Sequence, residues 1–84
     1  MKYCLITFRS VTPAQRGERV LSRAGIACTL SRTPKWMEQQ GCGYSLRVQT
    51  HTAAQCARIL REAKVEFRKV YLVRENGKTE EMAV

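Results

Sequence analysis

The sequence has no aspartate, a single histidine, His51, and no two cysteines spaced as a Cys-x-x-Cys pair. Zinc sites usually take their ligands from closely spaced pairs of cysteine or histidine, so no metal site is predicted. The sequence also lacks a glycine-rich phosphate loop, a dinucleotide-binding pattern and a serine-centred nucleophile motif. These absences argue against a zinc site with paired ligands and against enzymes that depend on one of these three motifs.

Long apolar runs are missing as well. No stretch approaches the ~18 residues of a membrane span. The N-terminal residues meet a charge too early for a signal peptide and contain no small-residue cleavage site. A cytoplasmic protein without a membrane segment is therefore expected. The four cysteines are interpreted as free thiols, because disulfides are rare in that compartment.

The chain is short and basic. Its 84 residues, 44% of them apolar, suit one domain, residues 1–84, with a single small core. Lysine and arginine number 15 against 7 acidic residues, a net charge of +8. Such a surface suggests an anionic partner, either nucleic acid, an acidic protein face or an anionic ligand. The alternative is an ordinary soluble surface rich in arginine.

Alternating apolar residues predict four strands, over residues 2–9, 26–31, 44–49 and 69–75. A first helix is expected to begin with Thr12 as N-cap, in a capping box with Gln15, and to end at Gly25. Asn76-Gly77 is a strong hairpin signal, so residues 78–82 are expected to fold back as a short fifth strand at the edge.

The second helix is expected to follow Thr50-His51-Thr52, with Thr52 and Gln55 as another capping box. Its inner stripe consists of small or apolar residues at helical spacing. That stripe is Ala53, Cys56 or Ala57, Leu60 and Ala63.

The resulting order βαββαβ, with right-handed crossovers, predicts an α+β fold with both helices on one face of an antiparallel sheet. This is the ferredoxin-like two-layer sandwich, with strand order 4-1-3-2. Its topology brings together, at one end, the turn after the first strand, the loop 32–43 and the link around residues 64–68. His51 is placed at the other end, about 20 Å from Cys42 by strand rise, which excludes a Cys–His hydrolase.

Cys42 differs from the other cysteines because it lies between Gly41 and Gly43 at the end of the long loop. The predicted topology brings this loop near the N-terminus of the first helix, where backbone N–H groups and the helix dipole favour an anion. Such surroundings lower the pKa of a thiol. The alternative is a glycine-rich turn in which the cysteine is incidental. The remaining residues expected to contribute to this end are Arg9, Ser10, Thr12, Arg32 and Lys35.

The other three cysteines are expected to be inert. Cys4 and Cys28 fall in the inward phase of predicted strands, and Cys56 lies on the buried stripe of the second helix. Buried cysteine behaves as a small hydrophobic residue.

Three segments of the sequence together resemble a known family: Phe8-Arg9-Ser10, Arg32-Thr33-Pro34 and Gly41-Cys42-Gly43-Tyr44-Ser45-Leu46. The family is the selenium/sulfur carrier protein-like family of small bacterial domains, and the resemblance covers residues 3–74. It implies a carrier rather than a catalyst, without a cofactor. Cys42 would accept sulfur or selenium from a donor such as a cysteine desulfurase, hold it as a persulfide or perselenide, and pass it to an acceptor protein.

Within that interpretation, Trp36 and Met37 on the loop are expected to be docking anchors for a partner, because exposed tryptophan is a frequent hot spot and methionine is adaptable. The alternative is that both side chains fold back and cover the small core.

Two other functions remain open. A nucleic-acid-binding module would use the charge and the open face of the sheet, although only Tyr3 could stack on bases in the first strand. A regulatory or oligomerisation module would cover Leu5, Tyr71 and Val73 with a second copy in a homodimer.

Overall fold

The computed structural model describes residues 2–33 and 43–82, which form two α-helices and one five-stranded antiparallel sheet. The predicted α+β class is confirmed. The elements in chain order are β1 (Tyr3–Phe8), α1 (Val11–Arg23), β2 (Thr29–Arg32), β3 (Tyr44–Val48), α2 (Ala53–Glu62, after a 3-10 turn at Thr50–Thr52), β4 (Val70–Val73) and β5 (Thr79–Met82). Neither helix is long and apolar enough to cross a membrane; this finding covers the described residues.

The strand order is β2-β3-β1-β4-β5, and all neighbouring strands are antiparallel. Read from the other edge, the strand order is β5-β4-β1-β3-β2. The order predicted for the first four strands was 4-1-3-2. The central strand β1 pairs with β3, where Phe8 lies opposite Tyr44, and with β4, where Tyr3 lies opposite Val73.

The fifth strand predicted from Asn76-Gly77 is confirmed. Gly77 has φ of 83°, a conformation that glycine adopts without strain, and its N–H donates to the Arg74 carbonyl at 2.9 Å. The Arg74 guanidinium then binds both carboxylate oxygens of Glu80, at 3.1 and 3.2 Å. A tight turn and a two-point ion pair thus hold β5 against β4.

The core lies between the sheet and the two helices. Alternate residues of β1, among them Ile6 and Phe8, are fully buried there, together with Leu21 of α1 and Leu60 of α2. Gly17 allows α1 to approach, since a Cβ at this position would lie 3.1 Å from the Phe8 ring and 3.2 Å from Leu46. The inner stripe predicted for α2 is confirmed at Ala53, Cys56, Ala57 and Leu60, which are buried, whereas its last member, Ala63, is a half-buried C-cap.

Both predicted capping boxes are wrong. Helix α1 begins at Val11, so Ser10 and not Thr12 is the N-cap, and the Ser10 side chain makes no capping hydrogen bond. Pro13 is tolerated anywhere in this turn because the first four N–H groups of a helix have no intrahelical partner. At α2, the Thr52 hydroxyl donates to the Gln49 carbonyl at 3.0 Å instead of capping the helix.

The second strand begins later than predicted, at Thr29 rather than Ile26. The reason is the way α1 ends. Gly25, with φ of 79°, donates to Ser22 at 3.0 Å, and Ile26 donates to Leu21 at 2.9 Å. This is a Schellman motif, and it uses the N–H of Ile26 to close the helix. The predicted glycine cap is confirmed, and the strand starts only after the chain has left the motif.

Candidate functional site

One end of the sheet brings together the segments that the sequence predicted to meet. At the end of β1, Phe8 lies opposite Tyr44 of β3, and the Thr33 N–H donates to the Gly43 carbonyl at 3.0 Å. The start of α1 follows directly after β1, at Val11. We call this end, defined by residues 9–11, 32–33, 43–44 and 64–69, the loop pole.

The link between α2 and β4 also reaches the loop pole. The Thr7 N–H donates to the Lys69 carbonyl at 2.8 Å, and the Arg68 N–H donates to the Thr7 carbonyl at 2.7 Å. The Thr7 hydroxyl adds a further hydrogen bond to the same carbonyl, at 3.1 Å. His51 follows β3 at the opposite end, where Val48 pairs with Cys4 near the start of β1, as the sequence predicted.

The described members of the predicted site are exposed cations and polar residues at this pole. Arg9, Ser10 and Thr12 are exposed around the first turn of α1, which contains no acidic residue. The Arg32 guanidinium is exposed too and lies 5.9 Å from the centre of the Tyr44 ring. Together with the positive end of the α1 dipole, these cations give the pole a positive potential.

The rest of the predicted site is Lys35, Trp36, Met37, Gly41 and Cys42, and these residues lie outside the described residues. Their predicted roles therefore stay predictions. Gly43, the neighbour of Cys42, is buried at the pole.

A family model described as putative Se/S carrier protein-like matches residues 3–72. The chain belongs to this family. The resemblance found in the sequence is thereby confirmed. No curated protein matches the chain. The family match spans residue 42 and the segments on both sides of it that build the loop pole.

The three described cysteines are shielded from solvent to different degrees. Cys4 and Cys56 are wholly buried, and Cys28 is half-buried just before β2. The Cys4 thiol lies 3.4 Å from the Met82 sulfur. Loss of hydration raises the pKa of all three thiols above the ordinary value of 9.0. Each is thus poorly ionised at neutral pH and a weak nucleophile.

Two buried hydroxyls beside the loop pole were missed by the sequence reasoning. Thr33 is 7% exposed and Ser45 is 0% exposed, yet neither hydroxyl has a hydrogen-bond partner within the part of the chain that the structure describes. Ser31 pairs with Ser45, so Thr33 and Ser45 stand on the same face of neighbouring strands. The sequence feature that could have identified them is a small residue with a hydroxyl group on each side of the loop. Each retains an O–H that could donate to an anion.

On the face of the sheet turned away from the helices, three of the residues named for the alternative functions are stacked or shielded within one chain. The Arg47 guanidinium lies 4.0 Å from the centre of the Tyr3 ring and so already stacks on the aromatic residue proposed for bases. Leu5 and Val73, proposed to be covered by a second copy, are each only 4% exposed within one chain. The apolar patch expected on this face is therefore small.

No three histidine, cysteine, aspartate or glutamate residues come together as metal ligands in residues 2–33 and 43–82.

Proposed function

We propose that this protein is a sulfur or selenium carrier that holds the transferred atom on Cys42. The family match over residues 3–72 carries the proposal, because it includes this residue and the segments that flank it. The raised pKa values of the Cys4, Cys28 and Cys56 thiols support it by elimination. Cys42 is the fourth cysteine of the chain.

For sulfur, the loading step is a thiol–persulfide exchange. The Cys42 thiolate attacks the terminal sulfur of a donor persulfide, such as that of a cysteine desulfurase. A new S–S bond forms on Cys42, the S–S bond of the donor breaks, and the donor cysteine leaves as a thiolate. An acceptor thiolate then attacks the terminal sulfur in the same way and restores the Cys42 thiolate. Neither step changes the number of electrons, so no cofactor is needed.

The loop pole supplies what such a thiolate requires. Arg9 and Arg32, with Lys35 of the loop, provide positive charge, and the start of α1 provides its dipole. The buried hydroxyls of Thr33 and Ser45, which have no hydrogen-bond partner among the described residues, would be available as donors. On this proposal, Gly41 and Gly43 would leave the thiol uncovered, and Trp36 and Met37 would contact the partner protein.

The proposal also includes the finer assignment of the fold and the compartment. The succession β4-β1-β3-β2 within the observed sheet supports a ferredoxin-like sandwich with β5 added at one edge. The free thiols of Cys4, Cys28 and Cys56 support exchange in the cytoplasm, where thiols stay reduced.

Intact-mass analysis after incubation with a cysteine desulfurase and cysteine tests the carrier function. We expect an adduct about 32 Da heavier, one sulfur atom, that is lost in Cys42→Ser and removed by a reducing thiol. Cys28→Ser is the matched control, since Cys28 is the half-buried thiol, and it should keep the adduct. An adduct that survives in Cys42→Ser and disappears in Cys28→Ser would contradict the proposal.

A further inference from the structure

A cleft of about 480 Å³ opens within the loop pole, where the chain leaves α2 and enters β4. Its floor contains Val65, which is 3% exposed, and the half-buried Phe67. Its rim is charged and exposed. The residues that line the cleft are Arg61, Lys64, Val65, Glu66, Phe67 and Arg68, three cations against one acid.

One of these cations is held over the apolar floor. The Arg61 guanidinium lies 5.4 Å from the centre of the Phe67 ring, within the range of a cation–π contact. The cleft therefore presents an aromatic surface and a positive charge at the same point. A ligand that combines an apolar side chain with an anionic group would match both.

Lys64 has an unusual backbone for a lysine. Its φ is 59°, the left-handed conformation that glycine adopts most easily. The Lys64 N–H donates to the Arg61 carbonyl at 3.0 Å, and the Val65 N–H donates to the Leu60 carbonyl at 2.9 Å. These two bonds form a Schellman motif at the end of α2, of the same kind as the motif in which Gly25 ends α1. Backbone strain tends to occur at functional sites. Here the strained position adds a cation to the rim of the cleft.

The cleft lies close to β3, the first strand after Cys42 in the sequence. Arg68 is hydrogen-bonded to Thr7 of β1, and Thr7 pairs with Ser45 of β3 on its other side. The Arg68 segment and β3 lie on either side of β1, so two strand spacings, about 10 Å, separate them. Because β3 begins two residues after Cys42 in the sequence, we expect a single docked segment to reach both the cleft and the chain that leads into β3.

We propose that this cleft docks an acidic protein segment carrying an apolar side chain, and that the segment belongs to the protein that exchanges sulfur or selenium with Cys42. The identity of the partner rests on the proposed function. Carboxylates of the segment pair with Arg61, Lys64 and Arg68, while its apolar side chain packs on Phe67.

The same charges fit nucleic acid less well. The net charge of the cleft lining is +2, from three cations and Glu66. Nucleic-acid sites neutralise several phosphates in a row, and three cations around one cleft are few for that purpose. The apolar surface of Val65 and Phe67 instead suits an apolar side chain of a protein segment.

The test uses the Cys42→Ser protein, which cannot carry sulfur, so that binding is measured separately from the carrier function. A short peptide of glutamates around one leucine and one phenylalanine is titrated while backbone amide signals are followed by NMR. We expect saturable shifts concentrated on residues 61–68. Arg61→Gln with Lys64→Gly should weaken binding roughly fivefold. Glycine removes the strain at position 64, so loss of the fold is not the reason.

The matched control is Arg19→Gln with Arg23→Gln, which removes two exposed cations from α1 and should leave binding within about twofold. Shifts spread over the whole surface, equal weakening by both pairs, or tighter binding of single-stranded RNA at the cleft would overturn the proposal.

The link to the exchange partner has its own measurement in the protein that retains Cys42. The cleft variant should gain the sulfur adduct from the desulfurase several-fold more slowly but to the same final extent, and a donor peptide in excess should compete. An unchanged loading rate would overturn the link. Peptide binding without any adduct would instead contradict the carrier function and leave the docking surface standing.

Discussion

The two faces of the sheet are both buried, but by different means. On the face that packs against α1 and α2, buried residues such as Ile6, Phe8 and Leu46 are apolar. On the opposite face, Leu5 is only 4% exposed and Ser45 is not exposed at all, although both helices lie on the other side.

We call the face turned away from the helices the second face. Neighbouring long side chains explain why its residues are buried. Leu5 lies directly between Arg47 of β3 and Tyr71 of β4, which project from the same face of the sheet. The guanidinium of Arg47 extends across to the ring of Tyr3 at 4.0 Å. Amphipathic side chains can exclude water from a smaller neighbour while their own polar ends stay wet. Strand residues that pack against the helices are apolar, whereas strand residues shielded by long amphipathic side chains can carry a hydroxyl group.

The largest expected effect is on the helix-covered face. Phe8→Ala should lower the free energy of unfolding by about 3–5 kcal/mol, because the ring is fully buried against Gly17 and cannot be replaced by solvent. Urea denaturation followed by circular dichroism measures this. A loss under about 1 kcal/mol would mean that the two faces do not differ as described.

Leu5→Ala should have a smaller effect, about 2 kcal/mol, although Leu5 is nearly as buried. Arg47 and Tyr71 are partly exposed and can move into the space, so the residual cavity is smaller. The same denaturation experiment compares the two variants. A loss equal to that of Phe8→Ala would show that the second face is as tightly packed as the core.

Removing the hydroxyl of Thr7 and that of Ser45, both on the second face, should change the free energy of unfolding in different directions. Thr7→Val should destabilise by about 1 kcal/mol, because the Thr7 hydroxyl bonds to both backbone groups of Lys69, at 3.1 Å each. Ser45→Ala should be neutral or stabilising by up to about 1 kcal/mol, since its buried hydroxyl has no partner within the described residues. Equal losses from both would contradict this assignment of the hydrogen bonds.

The smallest effect concerns pH and the thiols of the helix-covered face. Burial raises the pKa of Cys4 and Cys56 in the folded state, so their contribution to stability is complete below the ordinary thiol pKa of 9.0 and is lost as the pH rises above it. The free energy of unfolding should therefore fall as the pH rises above this value. Cys56→Ala should show a shallower decline, which separates the thiol from other groups titrating there. Parallel pH curves would contradict the inferred direction.

Local patterns predicted much of the architecture. Alternation identified β1 and β3, helical spacing identified the inner stripe of α2, and Asn76-Gly77 identified the turn before β5. Boundaries were less accurate. The start of α1 was misplaced because Ser10 and Thr12 are both acceptable N-caps, and only the backbone conformation distinguishes them.

The candidate site divides in the same way. Chain topology was enough to bring Arg9, Arg32 and Gly43 to one end of the sheet, because short connections leave few arrangements. Neither the buried hydroxyl of Ser45 nor the basic cleft at Lys64 was predicted. Both depend on which distant residues surround them.

Sequence alone determined which strand residues alternate between the two faces, where the chain turns and which family the protein belongs to. These properties depend on residues that are close together in the chain. Tertiary structure alone decided which residues of the second face are dry, which hydroxyls are buried and which cations surround Phe67. Burial and pairing depend on side chains from strands and helices far apart in the chain, and these meet only when the sheet has formed.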